Sequence, residues 1–168
     1  MHLVDANIVI TAARTFFQLD RVPEFWEWLE HQGAVNNLKM PVEIIEEVTG
    51  RSDPVSDWLR DERIHDALCL DEEVDVDRIQ EVVSRGYAPD LDDAEMIKVG
   101  RDPFLIAYAF GTDRVVVTGE VSRPATKRAN RKVPDVCRSL GVNCCDVFGL
   151  IGALNFSTNW RARLELFD

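Results

Sequence analysis

Residues 103–118 limit the fold more than any other stretch of this chain. Residues 103–110 read PFLIAYAF, and residues 114–118 read RVVVT. At helical spacing the first run is apolar on every side, so a helix there must be buried all round. The second is β-branched, lacks polar alternation and is bounded by turn residues, which describes a strand covered on both faces. A buried helix feeding a buried strand fits a parallel sheet with helices over both faces.

The remaining segments repeat this alternation. Residues 2–5 read as a short strand closed by an acid, and apolar residues at 8, 9, 12, 13 and 16 predict a helix over 7–17. Val22, Phe25, Trp26 and Leu29 repeat at i, i+3, i+4 and i+7, with Gly33 as the stop. A strand over 37–40 leads to a helix that Pro41 opens and Gly50 ends. The pattern then predicts a helix over 57–63, extended chain over 67–70 and a helix over 71–84. Residues 86–101 are polar and carry the weakest pattern, and 122–132 reads as a polar, basic loop. A helix over 134–140, a strand over 142–145 and a helix over 146–154 follow. The fold class expected is α/β: a three-layer α/β/α sandwich with a central parallel sheet of about five strands.

Length and composition place few further demands. With 168 residues the chain fits a single domain spanning 1–168. A domain of that size buries roughly 70% of its unfolded surface and needs neither disulfide nor metal to fold. No apolar run approaches the roughly 20 residues of a membrane helix. Residues 1–5 lack a basic and then apolar signal region, so the expected location is cytoplasmic. The four cysteines (69, 137, 144 and 145) lack zinc-ligand spacing and are expected to be small buried apolar residues in a reducing compartment.

Charge is more informative. The net charge of −11 argues against a surface that coats nucleic acid broadly. Yet the acids are unevenly placed. Residues 43–102 hold 19 acids and 7 bases, whereas residues 122–132 hold five bases and no acid. That basic segment (Arg123, Lys127, Arg128, Arg131 and Lys132) could contact nucleic-acid phosphates or simply balance neighbouring acids.

Ligands of open parallel sheets collect at the carboxyl ends of strands. Asp5 closes the first strand, Glu120 follows the RVVVT strand, and Asp102 starts the buried helix before it. Glu46 and Glu47 lie in the helix after the second strand. Carboxylates gathered in one cleft repel one another unless a cation intervenes, and the oxygen-preferring cations are Mg²⁺ or Mn²⁺. Each acid also has a plain structural role open to it: Asp5 and Asp102 as helix caps, the three glutamates as solvated surface.

The ordered motifs VDAN (with Asp5 and Asn7), PVEIIEEV (41–48), DPFLIAYA (102–109) and VVVTGE (115–120) resemble a PIN domain, the metal-dependent ribonuclease fold that includes VapC-like toxins. WEWLE (26–30) and PDVCRSLGV (134–142) are similar to a PIN-like branch of unknown function. The resemblance spans essentially the whole chain. It implies a Mg²⁺ or Mn²⁺ site that cleaves RNA to a 5′-phosphate and a 3′-hydroxyl. Asp5, Glu47 and Asp102 would serve the first metal, and Glu120 a second metal or the attacking water. Glu46 stands as the alternate to Glu47. Asn7 and Thr118 match supporting polar positions, and Glu120 stands where the family often has Asp. The resemblance further implies an RNA substrate and a possible antitoxin partner, while Phe16, Phe17 and Trp28, expected as an apolar surface of the N-terminal helices, suggest a possible homodimer. The rival reading is a catalytically silent PIN-like module that binds RNA or protein.

Overall fold

The computed structural model describes residues 1–164. Its strands are β1 (His2–Val4), β2 (Leu38–Pro41), β3 (Cys69–Leu70), β4 (Val115–Val117) and β5 (Asn143–Cys145). The first five helices are α1 (Ala6–Arg14), α2 (Pro23–Ala34), α3 (Val42–Thr49), α4 (Pro54–Arg60) and α5 (Glu62–Leu68). There follow α6 (Val76–Glu81), α7 (Asp93–Val99), α8 (Asp102–Ala109), α9 (Val133–Leu140), α10 (Val147–Ala153) and α11 (Trp160–Leu164). All five strands are parallel, in the order β3-β2-β1-β4-β5. The chain thus builds outward from β1 in one direction and then in the other. Crossovers between parallel strands are right-handed as a rule, and with that hand the two arms place their helices on opposite faces of the sheet. The order reverses between β1 and β4, the crevice where open α/β sheets bind ligands.

Burial follows the sequence pattern. Leu3 and Val4 of β1 and Val116 and Val117 of β4 are buried, as are Leu105 to Ala109 of α8. Among the described residues no helix is long and apolar enough to cross a membrane.

Several expectations need correction. The helix expected over 57–63 is two helices, α4 and α5, each with an aspartate cap: Asp53 accepts from Ser56 N–H, and Asp61 from Arg63 and Ile64 N–H. The helix over 71–84 begins at Val76 and ends in a π-helical turn, Val82–Tyr87. The polar stretch 86–101 contains α7, opened by a reciprocal Asp92–Glu95 capping box. The helix over 7–17 stops at Arg14, where the Phe17 N–H turns back onto the Ala12 carbonyl at 3.0 Å.

The expected apolar dimer surface shrinks to Phe16, which is 72% exposed. Trp28 is 1% exposed, because Phe156 lies over it at 5.0 Å between ring centres. Phe17 stacks on Phe25 at 4.1 Å. Of the cysteines only Cys137 is fully buried; Cys69, Cys144 and Cys145 are partly exposed. Residues of β5 lie on the sheet's edge strand, which leaves them less covered than those of β1.

The α2–α5 packing depends on one missing side chain. A Cβ on Gly33 would stand 2.6 Å from the Ala67 carbonyl oxygen and 2.7 Å from Leu68 Cδ2. Overpacking of this kind costs about 1–3 kcal/mol, which lowers Tm by roughly 2–4 °C per kcal/mol in a chain of this size. Gly33→Ala should therefore melt several degrees below wild type in a thermal scan. An unchanged melting curve would mean that α2 and α5 part without cost.

Candidate functional site

The carboxyl ends of β1 and β4 are tied together by one polar knot. Asp5 leaves β1 in extended conformation and is 5% exposed, and its side chain makes no cap bond to α1. Instead its Oδ2 accepts from Asn7 Nδ2 at 2.6 Å and from Thr118 Oγ1 at 2.7 Å. Asn7 reaches further: Nδ2 also lies 3.1 Å from Thr118 Oγ1, and Oδ1 accepts the Gly119 N–H at 2.7 Å. The two strand ends are thereby held in register around one buried carboxylate.

Asp102 enters from the other side. It is the first residue of α8, one past the cap residue Arg101, whose side chain makes no cap bond. Burial first, and then the charges of Asp5, Glu120 and Glu47, push its carboxyl up to about 8, while Lys132 pulls the other way. Asp5 is pushed up to about 6, mainly by burial and further by Glu47 and Glu120, against the bonds from Thr118 and Asn7. Glu47 of α3 and Glu120 past β4 thus act electrostatically on both Asp5 and Asp102.

The two glutamates of α3 separate. Glu46 pairs with Arg101 at 2.9 Å, and the same guanidinium nitrogen, Nη1, donates to the Glu43 carbonyl. Glu47 is exposed, and its charge acts on both Asp5 and Asp102.

Glu120 is occupied by its own chain. Oε1 accepts from Lys132 Nζ at 2.5 Å, and Oε2 accepts the Val133 N–H at 2.8 Å. Most of the basic segment is similarly engaged. Arg128 binds Asp90 and Glu95, each at 2.7 Å. Arg131 donates to the Gly86 carbonyl and to the Asp135 carbonyl. Buried Asp135 pins the start of the loop by accepting from Ser122 Oγ at 2.5 Å and from the Arg123 N–H at 2.6 Å. Of the five bases, only the side chains of Arg123 and Lys127 lack a polar partner among the described residues. An open cleft of about 440 Å³ runs beside Thr118 and Glu120 toward Arg138 and Cys144.

Sequence reasoning missed Arg101 and Asp135, which position the site without entering it. Both act through partners distant in sequence, so no local pattern announced them. Among the described residues no three His, Cys, Asp or Glu side chains form a ready-made metal ligand group. The donors nonetheless suit a hard divalent ion: they are all carboxylate oxygens, and Asp5 and Asp102 lack a cation of their own. The residues fit such an ion in donor type and in uncompensated charge.

A family model described as a domain of unknown function (DUF4411) matches residues 2–158. No curated protein and no solved structure matches the chain.

Proposed function

The chain belongs to the DUF4411 family, and we propose that it is a PIN-like endoribonuclease dependent on Mg²⁺ or Mn²⁺. What supports this reading is the desolvation of Asp5 and Asp102 at the reversal of strand order, with the charges of Glu47 and Glu120 acting on both. Desolvated acids that repel neighbouring carboxylates are what a cation site collects. The parallel five-strand sheet is compatible with the PIN resemblance.

Asp5 and Asp102 would hold the ion, with Glu47 beside them. When bound, a divalent ion neutralises the acids and stabilises charge on a phosphodiester during in-line attack. Asn7 and Thr118 orient Asp5 by fixing its Oδ2. Arg123 and Lys127 present cations that can meet RNA phosphates, single-stranded or structured. In this reading the other three bases hold the loop rather than the strand.

The test is incubation of an RNA panel with Mn²⁺ and wild-type, Asp5→Asn or Asp102→Asn protein. Metal-dependent cleavage is expected from wild type alone, leaving 5′-phosphate ends. Equal activity in all three proteins would sink the assignment. The Glu120–Lys132 pair favours a second reading, a silent module that binds RNA without cutting it. That reading predicts RNA retention by wild type with no cleavage at any Mn²⁺ concentration.

A further inference from the structure

Glu120 has two carboxylate oxygens, and both are taken. Lys132 supplies a charge-assisted bond to one, and the Val133 N–H at the start of α9 supplies the other. The extra methylene of Glu over Asp lets the carboxylate span from the β4 exit to α9. Lys132 joins the acid group through this bond to Glu120. Its side chain is 34% exposed, so the ammonium is neither sealed in the core nor dissolved in bulk water. Among the five bases of this segment, it alone pairs with one of the four acids.

Taking the nuclease reading above as its basis, we propose that Lys132 is the second cation of this site. Its ammonium stands at Glu120 where a second divalent ion would otherwise bind, so the centre takes one such ion, at Asp5 and Asp102. An ammonium is a compact point charge that suits phosphate. It cannot dissociate from the chain, so one of the site's three positive charges is independent of metal concentration. Glu120 then acts as a positioning residue that aims Lys132, not as a metal ligand.

Mn²⁺ titration of the metal-free full chain, read by calorimetry and by electron paramagnetic resonance of free Mn²⁺, tests this directly. Wild type should bind one Mn²⁺. Lys132→Met keeps the aliphatic stem, frees Glu120 and should bind a second ion. Glu120→Gln should still bind one Mn²⁺, with Kd within about threefold of wild type, a difference below 1 kcal/mol. Circular dichroism confirms that each variant is folded, and Lys132→Gln replaces Lys132→Met if the latter is not. Two ions in wild type, or a single ion in the folded lysine variants, overturns the proposal and leaves the nuclease reading standing. Loss of Mn²⁺ binding in Glu120→Gln overturns it as well. No Mn²⁺ bound by wild type overturns both.

Discussion

Asp5→Asn should slow Mn²⁺-supported RNA cleavage by about 10³-fold while leaving the protein folded, as expected when several kcal/mol of charge stabilisation are lost. The substitution changes no shape. An amide carbonyl oxygen can take over the bonds from Asn7 Nδ2 and Thr118 Oγ1, so the knot between β1 and β4 survives. What disappears is the charge and one of two potential ligand oxygens. Removing the knot instead, with Asn7→Ala, is a different lesion, because the Gly119 N–H then loses its acceptor. Rates on a defined RNA, measured beside melting curves, separate the two effects. Full activity in Asp5→Asn would remove Asp5 from the chemistry.

The second large effect concerns stability and reverses the usual behaviour of an acid. In the metal-free protein Asp102 keeps its proton until about pH 8, whereas in the unfolded chain it releases it near the ordinary value of 3.8. Between those limits the folded state binds more protons, so stability falls as pH rises. Asp5, pushed up to about 6, acts in the same direction over a narrower window. The displacement from 3.8 to about 8 sets an upper bound of about 6 kcal/mol at about 1.4 kcal/mol per pH unit, and the partial exposure of Asp102 screens the cost of its ionised form down to a few kcal/mol. Asp102→Asn removes that cost. In EDTA it should match wild type near pH 4 and melt roughly 5–10 °C higher at pH 8.5, taking 2–4 °C per kcal/mol. Mn²⁺ at about 100 times its Kd should lift wild type by about 2.7 kcal/mol and leave the variant nearly unmoved. A variant no more stable than wild type at pH 8.5 would show that Asp102 is not held against repulsion.

The sheet was legible through β4, a β-branched run between turn residues, with the shorter strands following from the alternation of helices around it, and α8 because an octet that is apolar all round has one place to go. Asp5 and Asp102 were legible by position, as acids next to those elements. The helices that escaped notice begin at caps of recognisable type: Asp53 before Pro54, and Asp92 three residues before Glu95. Their faces are too polar for a periodicity argument, so the caps were the available signal. The π-helical turn at Val82–Tyr87 leaves no such mark. The basic segment was readable as charge and not as structure. Arg128 meets Asp90 across 38 residues of sequence, and Lys132 meets Glu120 across 12. Nothing local distinguishes a cation waiting for RNA from one already spent on its own chain.

The clasp between Arg101 and α3 gives two adjacent glutamates different kinds of tolerance. Arg101 and Asp102 are neighbours in the chain, as are Glu46 and Glu47. By gripping Glu46 and the Glu43 carbonyl, Arg101 works as a gauge block that sets how far α3 stands from the start of α8. Glu47 and Asp102 inherit that spacing without touching the clasp. A change at Glu47 would alter the charge available between the helices, while one at Glu46 would let the gap drift with the charges of Asp5, Glu47, Asp102 and Glu120 still in place. The two positions would look alike in a list of variants and fail for separate reasons, one of them cured by a compensating acid and the other only by a compensating spacer.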